Sequence, residues 1–139
     1  MRFPVIVLLA ALALPALPAR AQEAHISNGL ACVSVSTDAR SLIVENGCPK
    51  FIVITNAQFA IDGADLRSIL PTKIDVGGRK IMLTADSPQQ VKAGATAKIF
   101  PPPWFFEKRS PPYAADFKVI LSDGGKAEEV SGQVSGLSP

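Results

Sequence analysis

Short runs of β-branched and aromatic residues, separated by glycine-rich turn signals, are the pattern that most restricts the fold of this chain. The stretches "TKIDVGGRKIMLT" (72–84) and "DFKVILSDGGKAEEVSGQV" (116–134) each place a glycine pair between two such runs. Adjacent glycines adopt the positive φ angles of tight hairpin turns. A further turn is expected at Ala93-Gly94. The chain is therefore predicted to be all-β, a single antiparallel β-sandwich of seven or eight strands with one hairpin disulfide.

The run "KFIVITNAQF" (50–59) has apolar residues at both odd and even positions. This pattern predicts a central strand that is buried on both faces. Evidence for helix is limited to "AIDGADLRSIL" (60–70), which has room for one turn capped by Asp62. Gly63 weakens that turn and Pro71 ends it.

The first residues, "MRFPVIVLLAALALPALPAR", have the grammar of a secretory signal peptide. Arg2 supplies the positive charge, an apolar stretch follows, and Ala19 and Ala21 place small residues before a cut at Gln22. Residues 1–21 are therefore expected to be removed, which leaves 139 − 21 = 118 residues. We expect a flexible N-terminus at 22–29, the sandwich domain at 30–135 and a C-terminal tail at 136–139.

Removal of the signal also changes the charge of the protein. The signal carries two arginines and no acidic residue, so Lys+Arg falls from 14 to 12, against 12 Asp+Glu. A neutral chain without a basic cluster argues against nucleic-acid binding. No second stretch is apolar enough to span a membrane. The expected location is periplasmic or secreted.

Cys32 and Cys48 are the two cysteines of the chain. A lipid attachment site, a zinc site and a C-x-x-C redox pair each require sequence features that are absent. Export favours a disulfide. A hairpin turning near residues 38–41, with paired positions summing to 80, would place Cys32 opposite Cys48 and Ser34 opposite Asn46. The same register sets Val35 against Glu45.

The segment "FPPPWFFEKRSPPY" (100–113) contains five of the nine aromatic residues of the chain. Its prolines predict a long connection or an edge, because proline cannot donate to a central strand ladder. The aromatic side chains either plug one end of the core or form a docking surface. The stretch 95–100 is the candidate edge strand. The candidate partner-binding residues are Lys98, Phe100, Trp104, Phe105, Phe106, Arg109 and Tyr113.

Catalytic and metal-binding patterns are poorly represented. His25 is the single histidine, and its position near the expected mature terminus does not favour a catalytic triad or a copper site. Asp62 and Asp65 lack the spacing of an EF-hand. The chain is predicted to be a non-enzyme without cofactor or metal.

The stretches "SLIVENGCPKFIVITNA" (41–57) and "MLTADSPQQVKAGATAKIF" (82–100) resemble the N-terminal immunoglobulin-like domain of periplasmic pilus-assembly chaperones. Val44-Glu45-Asn46, Pro49, Pro88, Gly94 and Lys98-Ile99 occupy matching positions. The resemblance implies an immunoglobulin-like fold and chaperone-like binding of an exported partner. The family carries two such domains and an early arginine, whereas this chain has room for one domain and "ACVSVST" has no arginine.

These observations favour an exported, non-catalytic protein-binding module of the bacterial envelope. Its partner would be another exported or envelope protein, bound through an edge strand and the segment 100–113. Two alternatives stay open: a periplasmic carrier of a small ligand or metal, and a structural component of a surface appendage.

Overall fold

The computed structural model describes residues 22–23, 25–60, 65–107, 113–123 and 125–137. The predicted signal peptide lies outside these ranges. The described elements are β1 (Gln22–Glu23), β2 (His25–Asn28), β3 (Val33–Thr37), β4 (Leu42–Asn46), β5 (Ile52–Ala60), β6 (Arg67–Ser68), β7 (Thr72–Val76), β8 (Arg79–Leu83), β9 (Gln89–Val91), β10 (Thr96–Ile99), α1 (Pro103–Phe106), β11 (Tyr113–Asp123) and β12 (Lys126–Leu137).

The strands form two antiparallel sheets, which confirms the all-β prediction. Sheet A has the order β1-β3-β4-β10-β7-β8, and sheet B has the order β2-β12-β11-β5-β6, with β9 also pairing with β5. Buried side chains of both sheets form one apolar cluster, which includes Val44 and Ile99 of sheet A and Ile54, Phe117 and Val119 of sheet B. No helix among the described residues is long and apolar enough to cross a membrane.

The glycine turns at 77–78 and 93–94 lie where the sequence predicts them, and Gly124 of the third predicted turn lies outside the described residues. Gly77 and Gly78 have φ angles of 58° and 92° and form the two-residue turn between β7 and β8. Gly94 also has a positive φ, but its turn leads from β9 in sheet B to β10 in sheet A. This turn is therefore a corner between the sheets.

The register of the β3–β4 hairpin differs by one residue from the predicted one. Val33 lies opposite Asn46 and Val35 opposite Val44, so paired positions sum to 79. This register places Val35 and Val44 together on the buried face, whereas the predicted one set Val35 against Glu45. Because a one-residue slip moves side chains to the opposite face, burial of the two valines decides the register.

The Cys32–Cys48 disulfide is present, with the two Cα atoms 4.8 Å apart. It lies just beyond the β3–β4 ladder, where the backbone N–H of Gly47 donates to the carbonyl oxygen of Cys32 at 2.8 Å. In the chain-entropy model, closing a loop of this size contributes about 3 kcal/mol to stability. The disulfide thus holds the open end of the hairpin.

Strand β5 lies inside sheet B, as predicted, but it is not buried on both faces. Ile52 and Ile54 are buried at even positions, and Ala57 and Phe59 are buried at odd positions. The change of parity coincides with a register shift opposite Ile120 in β11. A β-bulge inserts one extra residue and so moves the following side chains to the other face. The bulge explains why apolar residues occupy both parities.

Three other segments were assigned from sequence. Residues 22–29, predicted as a flexible N-terminus, contain β1 and β2, and the domain end at 135 falls within β12. Of the helical turn predicted at 60–70, residues 61–64 lie outside the described ranges, while 67–68 form β6.

The side chain of Asn46 is buried at the end of β4 and makes three hydrogen bonds. Its Nδ2 donates to the carbonyl oxygens of Lys50 and Val91, each at 2.9 Å. Its Oδ1 accepts the backbone N–H of Cys48 at 2.9 Å. One amide therefore ties sheet A to the loop that carries the disulfide and to β9 of sheet B.

The backbone of Asn46 is bound at the same place. Its N–H donates to the carbonyl oxygen of Ala95 at 3.0 Å, and its carbonyl accepts the N–H of Gly94 at 2.7 Å. The corner between the sheets is thus attached directly to the end of β4.

We predict that Asn46→Ala lowers the free energy of unfolding by roughly 3–5 kcal/mol, because two carbonyls and one N–H lose their partners in the interior. Urea titration followed by circular dichroism measures the loss. Asn56→Ala is the matched control, since the Asn56 side chain is half-buried and accepts hydrogen bonds from the adjacent N–H of Ala57 and from the hydroxyl of the exposed Ser68. It should lose about 1 kcal/mol. Equal losses in the two variants would contradict the role assigned to Asn46.

Candidate functional site

The proline-aromatic segment starts at the end of β10 and remains bonded to β7. The N–H of Phe100 donates to the carbonyl oxygen of Lys73 at 3.0 Å, and the hydroxyl of Thr72 donates to the carbonyl oxygen of Phe100. The chain then forms α1, whose first residue is Pro103. Proline suits this position because the first N–H of a helix has no partner within the helix.

The aromatic residues of this segment have different environments. Phe105 is 1% exposed, and its ring lies 5.0 Å from that of Phe59 at an interplanar angle of 77°. Phe106 is half-buried and meets Phe105 edge-on at 4.9 Å. Trp104 is 48% exposed. The segment therefore contributes Phe105 to the core and leaves Trp104 on the surface.

The other predicted partner-binding residues are less closely grouped. Lys98 lies on β10, and its Nζ is 3.5 Å from Oδ2 of Asp38, so its charge is paired. Tyr113 begins β11 in the other sheet. Arg109 lies outside the described residues.

The prediction that 95–100 is an edge strand is wrong. Strand β10 pairs with β4 on one side and with β7 on the other, so its ladder groups face partners in both directions. The prolines that suggested an edge begin at Pro101, after the strand has ended. Within the described residues, sheet A ends at β8, which has β7 as its single neighbour.

A groove of about 510 Å³ lies between the β7–β8 hairpin and the proline-aromatic segment. The hairpin contributes Thr72, Lys73, Ile74, Lys80 and Met82. The segment contributes residues 100–103 and Phe106, and the β3–β4 turn contributes Arg40. We call this site the β8 groove. It brings together positions about 60 residues apart in sequence.

The polar atoms at the base of the β8 groove are bonded to one another. The hydroxyl of Thr72 and the N–H of Phe100 both have carbonyl partners, as described above. Ile74 lies on β7, which is paired on both sides. The base therefore presents mainly apolar surface, formed by the phenylalanine, proline and methionine side chains.

The rim of the β8 groove is cationic. Arg40, Lys73 and Lys80 are exposed, and none of them forms an ion pair with a described residue. No acidic residue lines the groove among the described positions. Asp75 lies opposite Lys80 in the hairpin, but its Oδ1 accepts the N–H of Gly78 at 2.8 Å.

Asp38 holds the turn that presents Arg40. Its Oδ1 accepts the N–H groups of Arg40 and Ser41 and the Ser41 hydroxyl at 2.8–3.1 Å. Burial by itself raises the pKa of Asp38, but these hydrogen bonds and the charge of Lys98 together lower that pKa below its ordinary value. Asp38 is thus an anion whose hydrogen-bond donors lie inside the turn and whose ion-pair partner, Lys98, lies on β10.

Four residues of the groove are not among the sequence-predicted site residues: Arg40, Lys73, Lys80 and Met82. One signal was available, because the predicted Gly77-Gly78 hairpin already sets Lys73 against Met82 and places both on one face with Lys80. The approach of Arg40 and Phe106 depends on the sheet order, which no local pattern reveals.

Among the described residues, no group of three or more His, Cys, Asp or Glu side chains could hold a metal ion. The β8 groove contains neither a histidine nor an acidic residue in its described lining, so it offers the chemistry of binding: apolar contact and positive charge.

No family model matches this sequence, and neither a curated protein nor a solved structure matches it. The resemblance to pilus-assembly chaperones stays a prediction.

We predict that Phe105→Ala lowers the free energy of unfolding by about 3–5 kcal/mol, because it removes a buried ring from the core. Trp104→Ala should cost less than about 1 kcal/mol, since half of its surface is exposed. Urea denaturation of both variants measures the difference. Similar losses would show that the two neighbours do not have the separate environments described above.

We also predict a pH-dependent effect of Asp38→Ala. Because the folded-state pKa of Asp38 is lowered, its stabilising contribution is full above the unfolded value of about 3.9 and is lost as pH falls through the folded value. The variant should be less stable than the parent at pH 7, and the difference should shrink in acid.

Urea midpoints at pH 7 and in steps below pH 4 test this expectation. Lys98→Gln is the control, because it removes the ion pair and keeps the three hydrogen bonds of the turn. A stability difference for Asp38→Ala that stays constant across this range would contradict the assignment.

Proposed function

We propose that this protein is an exported, non-catalytic binding module of the bacterial envelope, which binds an extended segment of another exported protein at strand β8. The observation that carries the proposal is the position of β8, a sheet edge with one neighbouring strand among the described residues, beside the proline-aromatic segment. Lys80 and Met82 of that edge line the same groove as residues 100–103. The edge replaces 95–100 as the proposed partner-binding strand.

Strand β8 offers backbone groups to a partner at alternate residues. Val76 and Arg79 flank the two-residue turn and form a hydrogen-bonded pair. In an antiparallel ladder every second pair is hydrogen-bonded, so the next such pair is Ile74 with Ile81. The N–H and C=O groups of Lys80 and Met82 then point away from β7. An extended peptide adds to such an edge by main-chain hydrogen bonds.

The charges of β8 limit pairing between copies of this protein. Arg79 and Lys80 are both exposed, and lysine on an edge strand disfavours edge-to-edge association. Two copies meeting through β8 would bring like charges together, whereas a different partner need not. The edge is thus open to a partner of another sequence.

The surroundings of the edge suit a recognition surface. Trp104 is an exposed aromatic residue of the adjoining segment, and tryptophan is enriched among residues that dominate binding energy. The disulfide is compatible with an exported protein. An immunoglobulin-like, chaperone-like role belongs to this proposal and rests on the sequence resemblance.

The test is a crosslinked pulldown from envelope extract with the parent protein, Met82→Pro and Met82→Ala. Met82→Pro removes an outward N–H without removing a bond to β7, so the variant should fold. Met82→Ala removes the side chain and keeps that N–H. We expect the partner to be lost with Met82→Pro and retained with Met82→Ala.

Amide hydrogen exchange gives a second measurement on the captured complex. The amides of Lys80 and Met82 should exchange rapidly in the free protein and become protected when the partner is bound. A partner that binds folded Met82→Pro as well as the parent, or leaves these two amides unprotected, would rule out strand addition at β8.

A further inference from the structure

We propose that the β8 groove is a binding site for a single-chain amphiphilic anion, an aliphatic chain that ends in a carboxylate. This inference goes beyond the proposed function, because it requires no protein partner. It rests on three features of the groove: its size, its apolar base and its cationic rim.

The groove has the size of a ligand site. Its volume of about 510 Å³ lies within the range of about 300–1,000 Å³ that is typical of small-molecule pockets. Proline rings at 101–103 form one wall, and Met82 belongs to the opposite one. The groove exceeds the volume of any single side chain. Its two sides are strand β8 and the start of the proline-aromatic segment, and each of them is hydrogen-bonded to β7.

The base of the groove favours a hydrocarbon chain over a peptide backbone. The Thr72 hydroxyl is bonded to the Phe100 carbonyl, and the Phe100 N–H is bonded to the Lys73 carbonyl. A peptide lying there would bury N–H and C=O groups without partners, which is costly. An aliphatic chain has no such groups, and its burial is favourable in proportion to its apolar area. The free backbone groups of β8 lie at the edge of the sheet and outside this base.

The rim determines the charge of the occupant. Arg40, Lys73 and Lys80 are without carboxylate partners in the described structure, and no acidic side chain lines the groove. Arginine can hold a carboxylate with two parallel hydrogen bonds. The hydrogen bonds of Asp38 fix the backbone of the turn that carries Arg40, so the side chain starts from a defined position beside the groove.

The neighbouring carboxylates form no ion pairs with these cations in the described structure. Asp38 is paired with Lys98, whose Nζ lies 3.5 Å from Oδ2, and Asp75 accepts the N–H of Gly78 at 2.8 Å. Three cations thus stand against one carboxylate without an ion pair, Asp75, so an anionic headgroup at the rim is attracted on balance. A cationic headgroup on the same chain is repelled on balance.

The test is isothermal titration calorimetry and thermal denaturation of the purified protein with dodecanoate below its micelle concentration. Dodecyltrimethylammonium has the same chain with the opposite charge, and acetate has the headgroup without the chain. We expect saturable binding and a raised melting temperature with dodecanoate alone. In the series from octanoate to dodecanoate, affinity should rise up to about fourfold for each added methylene.

Charge variants locate the site. The triple variant Arg40→Gln/Lys73→Gln/Lys80→Gln should bind dodecanoate at least tenfold more weakly. The control Arg67→Gln/Lys50→Gln/Lys92→Gln removes the same charges at exposed positions outside the groove and should bind as the parent does. Circular dichroism verifies that both variants are folded.

Four results would overturn the inference. The first two are no saturable binding of dodecanoate and equal binding of dodecyltrimethylammonium. The others are equal weakening in the two triple variants, and tighter binding of an acetylated alternating Glu-Leu peptide that depends on the same three cations. The last result would assign the groove to an acidic protein segment. These four results do not change the expected loss of the protein partner in the Met82→Pro pulldown, so the proposed function is tested separately.

Discussion

The hydrogen bonds of Asn46 are the constraint on which the arrangement of the two sheets depends. A single buried residue at the end of β4 binds the disulfide loop, the end of β9 and the corner at Gly94. The corner sends β10 back beside β4, and β7 and β8 are then added beyond β10. The position of β8 at the edge of sheet A, and hence the β8 groove, follows from this attachment.

The features predicted correctly from sequence are those that local chemistry determines. The glycine pairs determine tight turns because other residues rarely adopt positive φ angles. The disulfide was predicted from the cysteine count and the expected export. The hairpin register was missed by one residue, although the mismatch of Val35 with Glu45 already indicated an error. Burial of Val35 and Val44 together settles the register, and burial is a property of the assembled sheets.

The candidate site was only partly predictable, because it is assembled from three separate stretches of chain. Phe100 and Phe106 belong to the proline-aromatic segment that the sequence analysis selected. The sequence places Arg40 in a turn without indicating a role for it, and the lysines of the β7–β8 hairpin resemble ordinary surface charges. The error about 95–100 has the same origin. A proline run shows where a strand ends, but it carries no information about which strands lie beside it.

The contact between Phe105 and Phe59 has a mechanical consequence for the β8 groove. Phe106 lines the groove and rests on Phe105, and Phe105 rests on Phe59 in the opposite sheet. One side of the groove is therefore braced against the closely packed interior, which has low compressibility. A ligand that pressed on Phe106 would work against the core of the whole domain. Phe106 is therefore expected to keep its position when the groove is filled.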